Sequence, residues 1–129
     1  MDNVLSVFLE KMVKQMMMNL MRNEHGERQL FIDCGRQNGH STAAYDLCIK
    51  LNSFFDGAII VIGIDKESLH KFSYNGFKTF TANQIKTNLL LGVRSSLVIV
   101  DSYKYVKGIV PDIEERIKLT SPIFTVYLQ

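Results

Sequence analysis

The sequence has little of several features that mark specialised classes of protein. Only two cysteines occur among 129 residues, Cys34 and Cys48, and neither stands at a spacing typical of a disulfide framework or a metal site. Reduced thiols in a cytoplasmic protein are the simplest interpretation. The sequence also lacks a large excess of charge of either sign, because its 15 basic residues nearly balance its 13 acidic ones. This balance excludes a dedicated, strongly basic nucleic-acid-binding domain, so any contact with DNA or RNA would be local.

Long uncharged runs are also missing. Charged residues at positions 2, 10, 11 and 14 interrupt the apolar N-terminal region before it reaches the length of a signal-peptide core or a membrane span. We therefore expect a cytoplasmic protein with no membrane segment. The composition, 47% hydrophobic and 22% charged, is that of an ordinary globular chain of one domain.

Residues 2–22 contain neither Gly nor Pro and predict a single amphipathic helix. Its apolar residues recur at steps of three and four: Leu5, Phe8, Leu9, Met12, Met16 and Leu20. We treat residues 1–25 as an appended helix and residues 26–129 as the main domain. The run Met16-Met17-Met18 leaves two interpretations open. It is either an adaptable surface for a partner or part of a helix that packs on its own domain.

Strand and helix patterns alternate through the rest of the chain. Short apolar runs predict strands at 30–32, 58–64, 97–101 and 123–128, and helical windows lie at 41–54, 66–72, 83–91 and 111–119. Strands that alternate with helices are typical of a mostly parallel sheet with helices on both faces. The sequence therefore predicts an α/β fold of three layers with a small sheet.

A glycine-containing loop follows the first predicted strand. The segment from Cys34 to Thr42 reads CGRQNGHST, which approximates the phosphate-binding pattern GxxxxGK[ST] between a strand and a helix. Two positions depart from that pattern. Cys34 stands in place of the first glycine, and His40 stands in place of the lysine.

The string GRQNGHST resembles the nucleotide-binding loop of phage terminase large subunits, the DNA-packaging motors, and less specifically that of helicase-type P-loop ATPases. In such proteins a second element, Walker B, is an apolar strand that ends in Asp and is followed by a catalytic Glu. Residues 97–101 (LVIVD) match the strand and the Asp, and Ser102 replaces the Glu. The resemblance runs from about residue 29 to 128 and implies one minimal P-loop NTPase-like domain of viral origin, located in the host cytoplasm.

The resemblance assigns roles residue by residue. It implies a nucleotide-binding set made of Arg36, Gln37, Asn38, Gly39, His40, Ser41 and Thr42. It also implies Mg²⁺ bound by Ser41 and, through water, by Asp101, with ATP and Mg²⁺ as the cofactors. Arg36 and His40 are the candidate catalytic residues, Arg36 through the γ-phosphate.

The two departures fall on groups that matter for turnover. A lysine carries a fixed charge, whereas a neutral imidazole is shorter and has a pKa of about 6.5. Since phosphoryl transfer depends on positioning and charge, we expect a degenerate site that hydrolyses poorly and a protein that acts by binding a protein or nucleic-acid partner. The alternative is an active ATPase in which His40 or a residue of a partner replaces the lysine.

A third hypothesis is a single-stranded nucleic-acid binder. Basic residues alternate with aromatic ones between positions 65 and 94, and the candidates for nucleic-acid contacts are Lys71, Lys78 and Lys86. Charge and stacking together can hold a single strand. A solvated helix and loop segment explains the same composition.

The resemblance also implies an order of strands. It places the strand at 123–128 between those at 30–32 and 97–101, so that the four predicted strands lie in the order second, third, fourth, first. The first strand then has an open edge, and open edges invite pairing. We expect the N-terminal helix or a second subunit to cover that edge, which makes self-association a predicted property.

Overall fold

Five parallel strands form the centre of the protein in a computed structural model of the chain. The structure describes residues 4–22, 28–32, 40–52, 55, 58–90 and 92–129, and of residues 4–6, 20–22 and 40–43 it describes the backbone alone. The elements in chain order are α1 (Val4–Arg22), β1 (Gln29–Ile32), α2 (His40–Leu51), β2 (Ile59–Gly63), α3 (Lys66–Tyr74), β3 (Lys78–Thr81), α4 (Ala82–Lys86), β4 (Leu97–Val100), α5 (Tyr103–Ile109), α6 (Ile113–Lys118) and β5 (Phe124–Leu128).

The strands lie in the order β1-β5-β4-β2-β3, and every neighbouring pair is parallel. The α/β class and the expected order of the four predicted strands are therefore confirmed. The structure adds β3, which pairs with β2 at the edge opposite β1.

Alternating side chains divide the core between the two faces of the sheet. On β2, Ile59 and Val61 belong to a cluster with α1, α2 and α3, whereas Ile60 and Ile62 belong to a second cluster with α4, α5 and α6. All residues of β2, β4 and β5 are buried. Burial on both faces explains why these strands read as continuous apolar runs, and the three layers follow from it.

Helix α1 packs on its own domain. It buries Leu9, Val13 and Met16 in the cluster that also contains α2 and the sheet. Glu10 joins the two helices through an ion pair with Lys50 at 3.2 Å. Hydrogen bonds from Lys14 and Lys50 lower the pKa of the Glu10 carboxyl.

The structure differs from the expectation in three short elements. The window at 83–91 was too long, because α4 ends at Lys86 and Asn88 has a left-handed backbone with φ 68°. Strand β3 (KTFT) lies at an edge of the sheet and has few apolar residues, so its sequence does not show the apolar pattern of a strand. Helix α5 contains Gly108, which is unfavourable within a helix and weakens the helical pattern there. The predicted break at residues 23–27 lies outside the described residues.

The open edge of β1 is present. Among the described strands, β1 pairs only with β5. Helix α1 has α2 as its main neighbour, and a second subunit on the edge of β1 stays a prediction. Among the residues that the structure describes, no helix combines the length and apolar character that crossing a membrane requires.

Candidate functional site

The ends of β1 and β4 bring the candidate residues to one edge of the sheet. Strand β1 ends at Ile32, α2 begins at His40, and Asp101 directly follows β4. Parallel strands have their carboxyl ends at the same edge, and β5 separates β1 from β4. At about 4.8 Å between neighbouring strands, the ends of β1 and β4 are about 10 Å apart.

The predicted phosphate-binding residues fall mostly where the structure is not described. Arg36, Gln37, Asn38 and Gly39 lie outside the described residues. His40, Ser41 and Thr42 form the first turn of α2, with their side chains undescribed. This turn carries backbone N–H groups that have no partner within the helix, and the N-terminus of a helix favours anions.

Asp101 is held at the end of β4 on a defined face of the sheet. Its backbone N–H donates to the carbonyl oxygen of Ile62 over 2.8 Å, which continues the pairing of β4 with β2 by one residue. Alternation along the strand then puts Asp101 on the same face as Ile99, the face that α2 covers. The residue is only 2% exposed, and burying a carboxylate is unfavourable unless it is paired, hydrogen-bonded or bound to a metal.

Ser102, the residue that replaces the expected Glu, ends the strand. Its backbone is left-handed, with φ 58° and ψ 50°. Its carbonyl oxygen accepts hydrogen bonds from the N–H groups of Tyr105 and Val106, and these bonds form the first turn of α5. A non-glycine residue in this region is uncommon, and such residues concentrate at functional sites.

An aromatic cluster that no sequence pattern predicts lies beside this edge. The rings of Phe31 and Tyr127 stack with 4.4 Å between centroids, and Tyr103 lies 5.6 Å from Phe31 and 4.7 Å from Tyr127. Phe31 and Tyr127 are direct neighbours in the register of β1 and β5. Only the register between β1 and β5 could have predicted this cluster, since it brings together residues that are far apart in the chain.

Polar groups surround the cluster on the side of α5 and α6. The Tyr103 hydroxyl donates to Glu114, and Lys107 pairs with the same carboxylate at 2.6 Å. Burial and then the hydrogen bond to Glu114 raise the pKa of Tyr103. Burial acts to raise the pKa of Glu114, but hydrogen bonds from Lys107 and Tyr103 outweigh it and lower the pKa. Burial also raises the pKa of Tyr127, with Glu114 as the next cause.

The two residues predicted to bind Mg²⁺ carry oxygen donors. Mg²⁺ prefers oxygen ligands and retains several waters, and it often binds through only one or two protein groups together with phosphates. The Asp101 carboxylate and the Ser41 hydroxyl are donors of that kind. Within the described ranges, no three His, Cys, Asp or Glu side chains gather into a metal-binding group.

The candidate nucleic-acid residues surround the other edge of the sheet. Lys78 opens β3, Lys71 lies on α3 with its ammonium 4.2 Å from the centre of the Tyr45 ring, and Lys86 ends α4. Helices α3 and α4 belong to opposite faces. Two of the nearby aromatic residues, Phe72 and Phe77, are buried in the core, so they offer no free ring to a base. Tyr74 of the same segment is 81% exposed, and binding of a nucleic acid there stays a prediction.

Comparison of the chain with protein-family models, curated proteins and solved structures gave no match. What the site does must therefore be inferred from its own geometry and from the pattern of the loop.

Proposed function

We propose that the protein is a P-loop-type nucleotide-binding protein of viral origin, related to the DNA-packaging motors, with a degenerate site that binds ATP and hydrolyses it poorly. Its work is to bind a protein or nucleic-acid partner. The main support for the proposal is the strand order β1-β5-β4. It brings the start of α2 and the buried Asp101 to the same edge and, through alternation, to the same face.

The assigned residues fit binding better than catalysis. In this proposal the backbone of Arg36 to Ser41 binds phosphate oxygens, Ser41 binds Mg²⁺, and Asp101 binds Mg²⁺ through water. The metal neutralises charge on the phosphates when it is bound. His40 lacks the fixed charge of lysine, and Ser102 is neither an acid nor a base near neutral pH. Removing one preorganised charged contact lowers rates by about 100-fold, or about 3 kcal/mol.

A partner surface is available on the helix layer outside α1 and α2. Three large apolar side chains of these two helices are exposed, Phe8 at 46%, Met18 at 49% and Ile49 at 50%. The ion pair between Glu10 and Lys50 joins the two helices. Sedimentation over a range of concentrations tests whether a second copy binds, and the substitution Ile49→Asp tests whether it binds here. A monomer at all concentrations would contradict self-association.

Calorimetric titration with ATP and Mg²⁺ tests the nucleotide site directly. We expect measurable binding by the unaltered chain and ATP turnover far below that of motor ATPases. Turnover at motor rates would instead favour the alternative, an active ATPase in which His40 or a partner residue supplies the missing charge. Absence of binding would contradict both.

The substitution His40→Lys sharpens the test. A lysine restores a fixed positive charge, and we expect ATP affinity to rise about tenfold, which corresponds to about 1.4 kcal/mol. His70→Lys is the matched control, because His70 is an exposed histidine on α3 and does not belong to the proposed phosphate-binding set. Equal affinities for His40→Lys and the unaltered chain would count against a phosphate contact at position 40.

A further inference from the structure

A cavity of about 330 Å³ lies beside β3, the edge strand opposite β1. One face of α3 lines it on one side, since the contributing residues recur at steps of three and four. Alternate residues of β3 and one residue of α4 line the other side. Six of the lining residues are polar: Lys66, His70, Ser73, Thr79, Thr81 and Gln84. The cavity is therefore a polar groove along the edge of the sheet.

The register of the sheet places this cavity on the α3 face. Thr79 is the neighbour of Val61 in the pairing of β3 with β2, and Val61 belongs to the core cluster that contains Leu69 and Phe72 of α3. Side chains of residues that face each other in neighbouring strands lie on the same face of the sheet. Thr79 therefore points to the side of α3, where the buried Leu69 also lines the cavity.

The polar side chains of the cavity have unused donors. Among the described residues, no hydrogen bond or ion pair engages the side chains of Lys66, His70, Ser73 or Thr79. None of the lining residues is acidic, and the two acidic residues on either side of Lys66 in the chain do not line the cavity. One cation, one imidazole and two hydroxyls without a carboxylate favour an anionic ligand.

The backbone of Thr79 faces away from the sheet. The carbonyl oxygen of Ile62 accepts a hydrogen bond from the residue after β4, so the backbone groups of Ile62 point to β4 and those of Val61 point to β3. The residue opposite Val61 then directs its own N–H and C=O outward, and that residue is Thr79. The N–H of Thr81, the next outward residue, donates to the Gln84 side chain over 2.8 Å. Along the described strand, the open N–H is thus that of Thr79.

A strand added at this edge would use the backbone and the cavity together. In an antiparallel pair, two residues that face each other exchange both N–H···O bonds, and their side chains lie on the same face. A residue opposite Thr79 would therefore bond its N–H and C=O and direct its own side chain into the cavity. The chemistry of the cavity then selects an acidic side chain at that position.

We propose that the edge of β3 binds an extended acidic segment of a partner protein, in antiparallel register, with an Asp or Glu opposite Thr79 and its carboxylate bound by Lys66 and His70. Addition of a strand to an open sheet edge is a recurrent mode of peptide recognition. The inference rests on the proposed role in binding a partner, and it is independent of the nucleotide site.

Charge disfavours a second copy of the chain as the occupant. The two edge strands are β1 (QLFI) and β3 (KTFT), and neither contains an acidic residue. Two β3 strands would also bring Lys66 and Lys78 of both copies to one interface, and like charges that face each other are unfavourable. An acidic strand therefore has to come from another protein.

Labelled peptides test the proposal in anisotropy titrations of the full chain without ATP. The probes are the blocked peptide SVTETVS and the same peptide with Gln in place of Glu. We expect the Glu peptide to bind at least about tenfold more tightly, because its carboxylate accepts charge-assisted hydrogen bonds. Equal affinities of the two peptides, or no binding by either, would overturn the proposal and leave the nucleotide site standing.

The substitution Lys66→Met tests the contact within the cavity. It keeps a long side chain and removes the charge, so we expect the Glu peptide to lose about tenfold in affinity and the Gln peptide to be unaffected. Lys78→Met is the matched control, because Lys78 is exposed and alternates with Thr79 onto the opposite face of β3. Equal losses in the two variants would reduce the effect to net charge and overturn the site.

The backbone pairing is tested without changing the protein. N-methylation of the central Glu removes the N–H that bonds the Thr79 carbonyl, and we expect binding of the peptide to be lost. At saturating Glu peptide, amide exchange measured by NMR should slow at Thr79 and stay unchanged at Phe31 on the open edge of β1. Protection of Phe31 instead would place the peptide on the other edge and overturn the proposal.

Two competitors separate the remaining occupants. If free glutamate displaces the Glu peptide at the concentration at which the peptide itself binds, the cavity is an anion site without strand pairing. If an oligothymidine displaces it at lower concentration, the groove binds a nucleic acid. Either result overturns the proposal, whereas weak competition by both supports it.

Discussion

The backbone N–H of Asp101 donates to the carbonyl oxygen of Ile62 over 2.8 Å, one residue beyond the last paired residues of β4 and β2. This bond fixes Asp101 in line with the strand, although the chain turns sharply at Ser102. The carboxylate is therefore held on the α2 face by backbone geometry, which survives a change of its side chain.

The substitution Asp101→Asn tests the role of the carboxylate in metal binding. It keeps the size of the side chain and removes the charge, so we expect ATP affinity to fall about tenfold with Mg²⁺ and to change little in the presence of a chelator. Calorimetric titration under the two conditions measures the difference.

Asp65→Asn is the control for this experiment. Asp65 follows β2 at the same edge of the sheet and is exposed, and it accepts the N–H of Ser68 as the N-cap of α3. Asparagine caps helices about as well as aspartate, so this variant changes charge with little effect on the fold. Losses of equal size in both variants, or with and without Mg²⁺, would contradict a metal-binding role.

The central strands of the sheet were predictable because burial on both faces makes their sequences continuously apolar. The runs that became β2 and β4 are entirely apolar, and their order followed from the resemblance of the loop and of Asp101. Strand β3 was not predictable on this basis. Its residues are partly exposed, and only the pairing of Lys78–Thr81 with β2 makes them a strand.

The candidate site was predictable in part for a related reason. The places of His40 and Asp101 depend on strand ends, which local sequence shows. Phe31 and Tyr127 are 96 residues apart in the chain, and their contact depends on the register between β1 and β5. No local pattern encodes such a pair, so the aromatic cluster could be found only in the folded chain.

Close packing of α3 on β2 predicts a strong effect at Gly63. A Cβ atom there would lie 2.8 Å from Cδ2 and 3.0 Å from Cγ of Leu69. Because Leu69 is itself buried, it has little room to move, and we expect Gly63→Ala to lower the free energy of unfolding by about 1–3 kcal/mol. Urea denaturation measures the change.

Gly108→Ala is the matched substitution. A Cβ at Gly108 meets no atom within 4 Å, and the residue lies in α5. Alanine favours the helix by about 0.5–1 kcal/mol over glycine, so this variant should be as stable as the unaltered chain or more stable. Destabilisation of the same size at both positions would refute the packing explanation.

A buried pair of hydroxyls predicts coupling between the segments that precede β4 and β5. Ser95 and Thr120 lie 2.7 Å apart, and the Thr120 hydroxyl donates to the carbonyl oxygen of Ile117, so Ser95 is the donor to Thr120. Thr120→Val leaves the buried Ser95 hydroxyl without this acceptor and should destabilise by about 1–3 kcal/mol.

The double variant Ser95→Ala with Thr120→Val tests this coupling. Once the donor is gone, losing the acceptor matters less, so the combined destabilisation should be smaller than the sum of the two single effects by about 0.5–1.5 kcal/mol. Urea denaturation of the four proteins gives the cycle, provided that the slopes agree. Strict additivity would mean that the two hydroxyls do not interact in solution.

The network around Glu114 predicts how stability depends on pH. Hydrogen bonds from Lys107 and Tyr103 outweigh the effect of burial and lower the pKa of Glu114 from the ordinary 4.5. A carboxyl with a lowered pKa in the folded state stabilises that state above its ordinary pKa, and the contribution is lost as the pH falls through the lowered value. The stability that Glu114 provides is thus complete at neutral pH, begins to decrease near pH 4.5, and disappears once the pH is below the lowered pKa of Glu114.

Lys107 sets the upper pH limit of the stability that this network provides. Its hydrogen bond to Glu114 raises its pKa above 10.5, so its contribution is present below that pH and is lost as the pH rises through the raised value. Glu114→Gln should therefore lower the Tm slightly between these limits, and the difference from the unaltered chain should vanish in acid. Glu115→Gln makes the same change of charge at an exposed neighbour on α6 and should leave the acid branch of the Tm curve unaltered. A Tm difference for Glu114→Gln that persists once the pH is well below the lowered pKa of Glu114 would show that the carboxylate acts through packing and not through its charge.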